Sequence, residues 1–408
     1  MLTTEQTTQF SDILEEFGKT LDISETQHNT VVESYEAVGK WLSKEGSLLI
    51  PYEPEILPQG SFMLETMIKP IHENDDLDID LVCQLKGKAP EWTQYDLKQK
   101  VGDQLKRNEA YKGMLDVEGR RCWTLHYSDS AHYHLDILPC IVSNDYKTVI
   151  AKSFSESVLE KNIENLAIRI TDKKEANYKI ATNPDEWLKS NPFGYSRWFF
   201  QQADLSLRKS GWILESVQPV PNYRKEKLPL QRVVQILKRH RDMMFNGDEN
   251  KPISKIITTL AAMAYQKESN VTDALLNVIM RLPSKIEERY SAKHHKMIKW
   301  IGNPVNEEEN YADKWPENPK KEENFYSWMA QVNTVVQNTV QQKGLNKIQE
   351  SLEKPFGKEI VAKAFSNYGD NLRQRRESGV LKMATGTGIL SMTGQTTVKP
   401  HTFFGNHE

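Results

Sequence analysis

The chain has 408 residues, of which 38% are hydrophobic and 27% charged, and its formal net charge is −3. This length exceeds what one compact core usually holds and predicts two packed lobes, while the composition excludes collagen, wholesale disorder and a membrane bundle. The small negative charge gives no molecule-wide attraction for polyanions, so direct binding of nucleic acid is not expected and any nucleotide site must use a local basic cluster.

Neither the cysteines nor the N-terminus indicates export. Cys83, Cys122 and Cys140 form no CxxC pair, which fits reduced thiols that pack in the core. The N-terminal residues lack the basic start and the apolar run of a signal peptide, and no later window has the apolar length of a membrane span. A cytoplasmic protein without a membrane partner is therefore expected.

The first structural signals in the chain are a helix, a turn and a strand. Ser24 and Gln27 form a capping-box pattern, and apolar residues then recur at helical spacing, which predicts a long helix over 24–44. The following stretch is rich in proline and glycine and predicts a short strand that ends at Gln59. A second helix is predicted to begin in FMLETMIK.

Three strand patterns come next, and two of them carry acidic residues. The run that begins at Leu77 alternates, so that Asp78 and Asp80 share one face of the strand. Asp136 has similar flanking residues in the last of the three. The strands are predicted over 77–83, 121–127 and 133–139.

The second half of the chain is predicted to be mostly helical. Apolar residues follow helical periods over 153–169, 196–210, 229–246, 253–267, 271–282 and 325–341. The polar segment 302–324 carries three prolines and is predicted to be an exposed connection or insertion. From about Glu377 the chain is rich in Gly and Thr, which indicates a flexible or peripherally docked tail.

Gly60-Ser61, Asp78, Asp80 and Asp136 together form a pattern suited to phosphoryl transfer. Transfer of a nucleotidyl group requires neutralisation of phosphate charge and in-line attack by a hydroxyl, which two divalent cations about 4 Å apart can provide. Such hard cations prefer several oxygen ligands. A glycine lets the backbone approach a phosphate, and the serine adds a hydroxyl donor.

Each of these motifs also has an ordinary structural explanation. Asp-x-Asp and Gly-Ser are common by chance, and a single motif carries a high false-positive rate. In combination they are harder to dismiss, because a half-buried strand with two carboxylates on one face is costly unless a cation or solvent meets them. The combination favours an active site.

The runs QGSFMLET, DLDIDLV and HLDILPC resemble the signature of the nucleotidyltransferases that include the bacterial CD-NTases, cyclic GMP-AMP synthase and oligoadenylate synthase. The resemblance implies an α/β (α+β) fold with a polymerase-beta-like mixed sheet, a long spine helix, a helical second lobe and a cleft between the lobes. It implies two Mg²⁺ ions, replaceable by Mn²⁺, on Asp78, Asp80 and Asp136. It also implies triphosphate binding by Gln59, Gly60 and Ser61.

Two further residues are predicted by resemblance in the helical part. RVVQILKRHRDMMF is similar to the family helix whose lysine contacts the triphosphate, which implies this role for Lys238. KPISKIITTLAAMAY is similar to the next family helix, in which Ser254 reaches the nucleotide. The alternatives are that Lys238 extends from a packed helix to solvent and that Ser254 is only an N-cap.

The resemblance also implies a domain organisation and a role. The expected parts are a nucleotidyltransferase core over 1–195, a helical lobe over 196–376 and a tail over 377–408. The expected activity is synthesis of a cyclic di- or trinucleotide from ATP, GTP or pyrimidine nucleoside triphosphates, in bacterial antiphage signalling through a downstream effector. The alternatives are a linear, RNA-modifying or protein-modifying nucleotidyltransferase and a catalytically silent nucleotide-binding relative.

Some relatives are attached through a C-terminal small residue to other proteins by a ubiquitin-like transfer system. A transfer partner of this kind is a further implication of the resemblance. The present chain ends in Gly405-Asn406-His407-Glu408, which departs from that pattern.

A zinc site is the remaining metal hypothesis for the strand region. The histidines and cysteines in this region match no spacing of a closed structural zinc site, so core or surface positions are predicted for them. They are His126, His132, His134, Cys122 and Cys140. Asp76, just before the Asp-x-Asp strand, is predicted to be a solvated loop residue.

Overall fold

The computed structural model describes residues 2–72, 75–127, 132–142, 167–203 and 223–399. The chain clusters into two compact units. We call them the sheet unit, Ile23–Glu226 with Gly302–Tyr311, and the helical unit, Met1–Asp22 with Lys227–Ile301 and Ala312–Glu408. The helical unit includes the N-terminal residues, a grouping that the sequence did not indicate. No helix in the described ranges is both long and apolar enough to span a bilayer.

The α-helices of the described residues are, in chain order, α1 Thr4–Leu21, α2 Glu25–Ser43, α3 Gly60–Met63, α4 Gln94–Lys106, α5 Glu109–Met114, α6 Pro192–Ala203, α7 Pro229–Phe245, α8 Ser254–Ala264, α9 Val271–Arg281, α10 Pro319–Val340, α11 Leu345–Phe356 and α12 Lys358–Glu377. Short 3₁₀ turns occur at Ile50–Tyr52, Pro184–Glu186 and Leu282–Lys285.

The strands are β1 Glu55–Pro58, β2 Leu77–Lys86, β3 Trp123–His126, β4 Tyr133–Val142, β5 Ile168–Ile170, β6 Leu188–Ser190, β7 Glu287–Ser291, β8 Lys296–Trp300, β9 Gly302–Asn303, β10 Asn306–Asn310, β11 Lys382–Met383, β12 Leu390–Ser391 and β13 Thr396–Thr397. The three strands predicted from alternation are confirmed as β2, β3 and β4.

The sheet unit is built on a mixed sheet, as predicted. In the described residues its strands follow the order β1-β2-β4-β5-β6, and β3 also pairs with β4. The β2–β4 pair is parallel, whereas β1–β2, β3–β4, β4–β5 and β5–β6 are antiparallel. One face of β2 and β4 is buried with α2 in one apolar cluster. The opposite face carries polar residues in the first half of each strand and is buried in a second apolar cluster, with Val82 and Leu138, in the second half.

Helix α2 is the predicted long helix, and its start is fixed by the predicted capping box. The Ser24 side chain accepts a hydrogen bond from the Gln27 amide at 3.1 Å, and the Gln27 side chain accepts one from the Ser24 amide at 3.0 Å. The apolar residues of α2 lie in the same buried cluster as Ile79 and Leu81 of β2. They are Val31, Tyr35, Val38 and Leu42.

The predicted helix in FMLETMIK is wrong beyond its first turn. Helix α3 ends at Met63, because Glu65 adopts a φ of 54°, in the left-handed region that a right-handed helix cannot contain. The Thr66 amide then donates to the Ser61 carbonyl oxygen at 3.0 Å and closes the turn. The Gly-Ser segment is therefore a tight turn rather than the start of a long helix.

Two other predicted elements differ from the structure. The helical period over 153–169 is wrong at its described end, because Ile168–Ile170 is strand β5 and pairs with β4 and β6; residues 153–166 lie outside the described ranges. Segment 302–324 is not a plain exposed connection. It contains β9 and β10, and its aromatic residues Tyr311 and Trp315 are buried although most of its residues are polar or charged.

The helical unit has its own core, to which α1 contributes one face. Phe17 of α1 meets Phe356 of α11 with ring centroids 5.2 Å apart. Arg232 of α7 is fully buried and binds Asp22 at 2.8 Å and Glu15 at 3.1 Å. In the described part of the tail, β11, β12 and β13 form a small sheet, and β12 packs against α1.

Candidate active site

The predicted carboxylates come together through the register of two parallel strands. Asp80 of β2 lies directly opposite Asp136 of β4, and Asp78 lies opposite His134. Their neighbours Leu77, Ile79 and Leu81 are buried on the other face. Because side chains alternate along a strand, all three aspartates project from the face that is not packed against α2.

The carboxylate cluster has the donor set of a cation site. One ligand atom each from Asp78, His134 and Asp136 lies within 4.8 Å of the others. His134 Nε2 lies 3.3 Å from Asp78 Oδ1. This hydrogen bond raises the pKa of His134, against the opposing effect of burial, and Asp136 and Asp76 add to the increase. His134 is a site residue that the sequence pattern did not reveal.

Asp136 is oriented from its other side by strand β3. Thr124 is its cross-strand partner, and the Thr124 hydroxyl donates to Asp136 Oδ1 at 2.5 Å. Burial raises the pKa of the thiol of Cys122, which directly precedes β3, and the nearby charges of Asp136 and Asp80 add to the increase. Cys122 therefore remains a neutral thiol beside the carboxylates. Thr124 was missed because a lone threonine in a strand carries no signal until its register is known.

The Gly60-Ser61 turn is attached to β2 beside Asp80. The Gln59 amide donates to the Asp80 carbonyl oxygen at 2.9 Å, which fixes the start of the turn. Gly60 has a φ of 61°, and a Cβ at this position would overlap Asp80 Oδ2 and lie 3.1 Å from Asp80 Cγ. Only glycine meets both conditions without strain. The structure thus brings Gln59, Gly60 and Ser61 next to the Asp-x-Asp strand.

Lys238 and Ser254 belong to the helical unit, and their nucleotide-binding roles stay predictions. Lys238 is 4% exposed on α7. Ser254 is the first residue of α8, whose N-cap is Ile253, so the alternative that Ser254 is the N-cap is wrong. The Ser254 hydroxyl accepts a hydrogen bond from Arg241 Nη1 at 2.9 Å.

Comparison with known proteins agrees with this fold. A family profile described as "Second Messenger Oligonucleotide or Dinucleotide Synthetase domain" matches residues 8–158. The chain is 28% identical over 411 residues to a c-di-GMP synthase of Roseivirga ehrenbergii, covering 100% of both sequences. It is 22% identical over 389 residues to the cyclic dinucleotide synthase CdnG of Bradyrhizobium diazoefficiens, covering 90% of this chain and 85% of that protein.

A solved structure extends the likeness to three dimensions. The Bradyrhizobium diazoefficiens CD-NTase CdnG in complex with GTP matches with a TM-score of 0.62 at 18% identity, covering 88% of this chain and 99% of that one. The mixed sheet with its opposed aspartates and Gly-Ser turn has the polymerase-beta-like fold of that protein. The synthetase-domain match and the two sequence relatives indicate a nucleotidyltransferase. The chain thus carries a match to a second-messenger synthetase domain over residues 8–158, is similar in sequence to two cyclic dinucleotide synthases, and shares the fold of the CD-NTase CdnG.

Proposed function

We propose that this chain joins nucleoside triphosphates into a cyclic di- or trinucleotide, and that GTP is among its substrates. The full-length relative is named a c-di-GMP synthase, and the structural relative CdnG was solved with GTP. The product would act as a second messenger in bacterial antiphage signalling, through a downstream effector that recognises it. We place the enzyme in the cytoplasm, where these substrates are made.

One observation carries the proposal: Asp80 and Asp136 face each other in register beside the Gly60 turn. Two carboxylates on adjacent strands would repel each other unless positive charge lies between or near them. Divalent cations would supply that charge and would at the same time bind the anionic triphosphate. The arrangement therefore fits a site whose carboxylates are arranged for metal ions rather than for the fold alone.

The donor set fits two hard divalent cations. Carboxylate oxygens from Asp78, Asp80 and Asp136 are the ligands that Mg²⁺ prefers, and Mn²⁺ accepts the same ligands. We propose that these three residues hold the pair. When bound, the ions would neutralise phosphate charge and make the attacking hydroxyl more acidic.

The protein's own groups would then orient the reactants. The 2′- or 3′-hydroxyl of one nucleotide forms a bond to the α-phosphorus of the other, the bond to the leaving pyrophosphate breaks, and Asp136 accepts the hydroxyl proton. The hydrogen bond from Thr124 holds one oxygen of Asp136, so the other is presented to the reactants. A second transfer within the linear product closes the ring.

Binding of the triphosphate is assigned to two sets of residues. In the sheet unit, Gln59, Gly60 and Ser61 form the turn, where glycine allows close approach of a phosphate and Ser61 provides a hydroxyl. In the helical unit, Lys238 supplies positive charge and Ser254 a hydroxyl. Single substitutions of Lys238 to Met and Ser254 to Ala should raise KM for the triphosphates more than they lower kcat if this assignment is correct.

The test is product formation by the purified full-length chain. The protein is incubated with all four ribonucleoside triphosphates and Mg²⁺ or Mn²⁺, treated with phosphatase, and the products are identified by mass spectrometry. We expect a phosphatase-resistant cyclic product that contains guanine. Asp78→Asn, Asp80→Asn and Asp136→Asn keep the side-chain volume and should each lower the rate at least about a hundredfold.

A matched control separates loss of charge at the site from loss of charge in general. Asp103 is an exposed carboxylate on α4 of the same unit, and Asp103→Asn should retain full activity. A phosphatase-sensitive product would identify a linear synthase instead. Nucleotide binding without any product would identify a silent relative.

The remaining prediction concerns the C-terminus. Residues 405–408 lie outside the described ranges, so conjugation through a ubiquitin-like transfer partner stays a prediction. Intact-mass analysis after incubation with proteins encoded beside the gene tests it.

A further inference from the structure

A second group of metal-ligating side chains lies beside the carboxylate cluster. His126 ends β3 and pairs with His134 of β4 across the antiparallel ladder, and their ring centroids are 5.4 Å apart. Asp76 precedes β2 and contacts both rings. One ligand atom each from Asp76, His126 and His134 lies within 4.8 Å of the others. The sequence spacing indicated no zinc site here, because the three residues meet only through strand pairing.

In both His126 and His134, the ring nitrogen Nδ1 faces the same carboxylate oxygen, Asp76 Oδ2. His126 Nδ1 lies 3.8 Å and His134 Nδ1 lies 3.9 Å from Asp76 Oδ2. Both distances are too long for hydrogen bonds. His134 Nδ1 is buried and has no hydrogen-bond partner among the described residues. A buried nitrogen of this kind is costly unless something occupies the space that it faces.

The other nitrogen of each ring is held by a carboxylate. His126 Nε2 lies 3.4 Å from Asp116 Oδ2, and His134 Nε2 lies 3.3 Å from Asp78 Oδ1. An ionised carboxylate only accepts hydrogen bonds, so each Nε2 carries the hydrogen, and in a neutral ring each Nδ1 then has a lone pair. Metal-binding histidines in proteins are oriented by this kind of carboxylate–histidine–metal arrangement. Both histidines have this arrangement, His126 with Asp116 and His134 with Asp78, and the Nδ1 atoms of both lie near Asp76 Oδ2.

We propose that Asp76 Oδ2, His126 Nδ1 and His134 Nδ1 bind one first-row transition-metal ion of the zinc type. Two imidazoles and one carboxylate are typical ligands of Zn²⁺, whereas Mg²⁺ prefers oxygen ligands alone. Ligands of a tetrahedral zinc ion lie roughly 3.4 Å apart for bonds of about 2.1 Å. The observed separations from Asp76 therefore need to shrink by only about half an ångström. Three protein ligands leave a fourth position for water or a phosphate oxygen.

This ion site is separate from the one proposed for catalysis, and it does not rest on the proposed function. Asp80 and Asp136 take no part in it, and its ligands include two nitrogen atoms. The two sites are linked by His134, which would bind the zinc-type ion through Nδ1 and holds Asp78 through Nε2. Occupancy of the new site would therefore fix the orientation of Asp78.

The experiment measures metal binding directly. The tag-free full-length chain is stripped of metal and titrated with Zn²⁺ against a chromophoric indicator in the presence of millimolar Mg²⁺. Co²⁺ provides a second readout, because its visible absorption reports a low-coordinate site with nitrogen ligands. We expect one equivalent of tight binding. His126→Ala and Asp76→Asn should each abolish it, and Asp116→Asn should weaken it by roughly 10- to 100-fold.

Two controls make the result decisive. His132 is the third histidine of this stretch, and His132→Asn should bind normally; asparagine tolerates its φ of 52°. A double variant of His294 and His295, the histidine pair in the hairpin β7–β8 turn, should also bind normally. Loss of binding in that double variant, or full binding by both His126→Ala and Asp76→Asn, overturns the proposal.

Protein folding and catalysis do not confound this test. Thermal unfolding of each variant shows whether it is folded, and Asp76→Asn keeps the shape of the side chain if His126→Ala does not fold. An inactive chain that binds one Zn²⁺ would contradict only the proposed synthase function. An active chain that binds none would contradict only this inference.

Discussion

Replacement of Gly60 by alanine is the sharpest test of the site geometry. The new Cβ would overlap Asp80 Oδ2, and the backbone φ of 61° is unfavourable for any residue with a Cβ. The backbone alone costs about 1–2 kcal/mol, because a side chain in the left-handed region meets the following carbonyl oxygen. In addition, the new Cβ would displace the carboxylate of Asp80, which is a proposed metal ligand.

The magnitude follows from how far Asp80 must move. To restore an ordinary contact the carboxylate has to retreat by about an ångström, and a misplacement of this size in an active site can cost on the order of a hundredfold in rate. Gly247 is the matched control, since its φ is 89° and a Cβ there would meet nothing within 4 Å. Gly247→Ala therefore carries the backbone cost without the contact.

The assay compares initial rates of product formation and thermal midpoints for the two variants. Both should unfold a few degrees below the parent chain. Only Gly60→Ala should lose about a hundredfold in kcat. If the two variants turn over at similar rates, the close approach of the turn to Asp80 has no functional role and the reasoning is refuted.

Three further predictions concern stability and are checked by thermal or urea unfolding. Gly18→Ala should destabilise the chain by about 1–3 kcal/mol, because its Cβ would lie 2.5 Å from Cδ of the buried Arg232; an unchanged midpoint would contradict this packing. Asp172→Asn should cost about 3 kcal/mol, because Asp172 is fully buried between two arginines at 2.6 and 2.7 Å; a neutral effect would show that the carboxylate is not needed. Burial lowers the pKa of His240 to about 4 from an ordinary value of 6.5, so the unfolded chain binds the extra proton first and stability should fall by about 3 kcal/mol as the pH drops from 6.5 to 4. His240→Gln should flatten that part of the pH profile, and an unaltered slope would refute the assignment.

The positions of the three aspartates could be predicted because they depend on local alternation. Period-two patterns around Asp78 and Asp136 fix which face each side chain takes, whatever the rest of the chain does. The partners of these residues could not be predicted in the same way. Thr124 and His134 act on the aspartates across strands, and nothing within either strand reveals the register that brings them together.

The assignment of α1 to the helical unit could not be predicted from the sequence for a related reason. The amphipathic pattern of a helix such as α1 shows that one face is buried but does not name the surface that covers it, and here that surface comes from the far end of the chain. The helix predicted in FMLETMIK was wrong because Glu65 adopts a left-handed conformation, which a sequence pattern indicates only when glycine or asparagine occupies the position. In segment 302–324, the high content of charged residues predicted exposure, and the burial of Tyr311 and Trp315 could not be inferred from it.

The geometry of the carboxylates is a consequence of the hydrophobic core. Ile79 and Leu81 of β2 and Leu135 and Ile137 of β4 pack in one buried cluster with α2, and a slip of one residue between the strands would turn one of these apolar sets towards the polar face. The same constraint that buries Ile79 beside Leu135 therefore holds Asp80 opposite Asp136. Substitutions that enlarge or shrink this apolar layer should alter the carboxylate spacing, and so the proposed binding of metal ions, before they unfold the sheet.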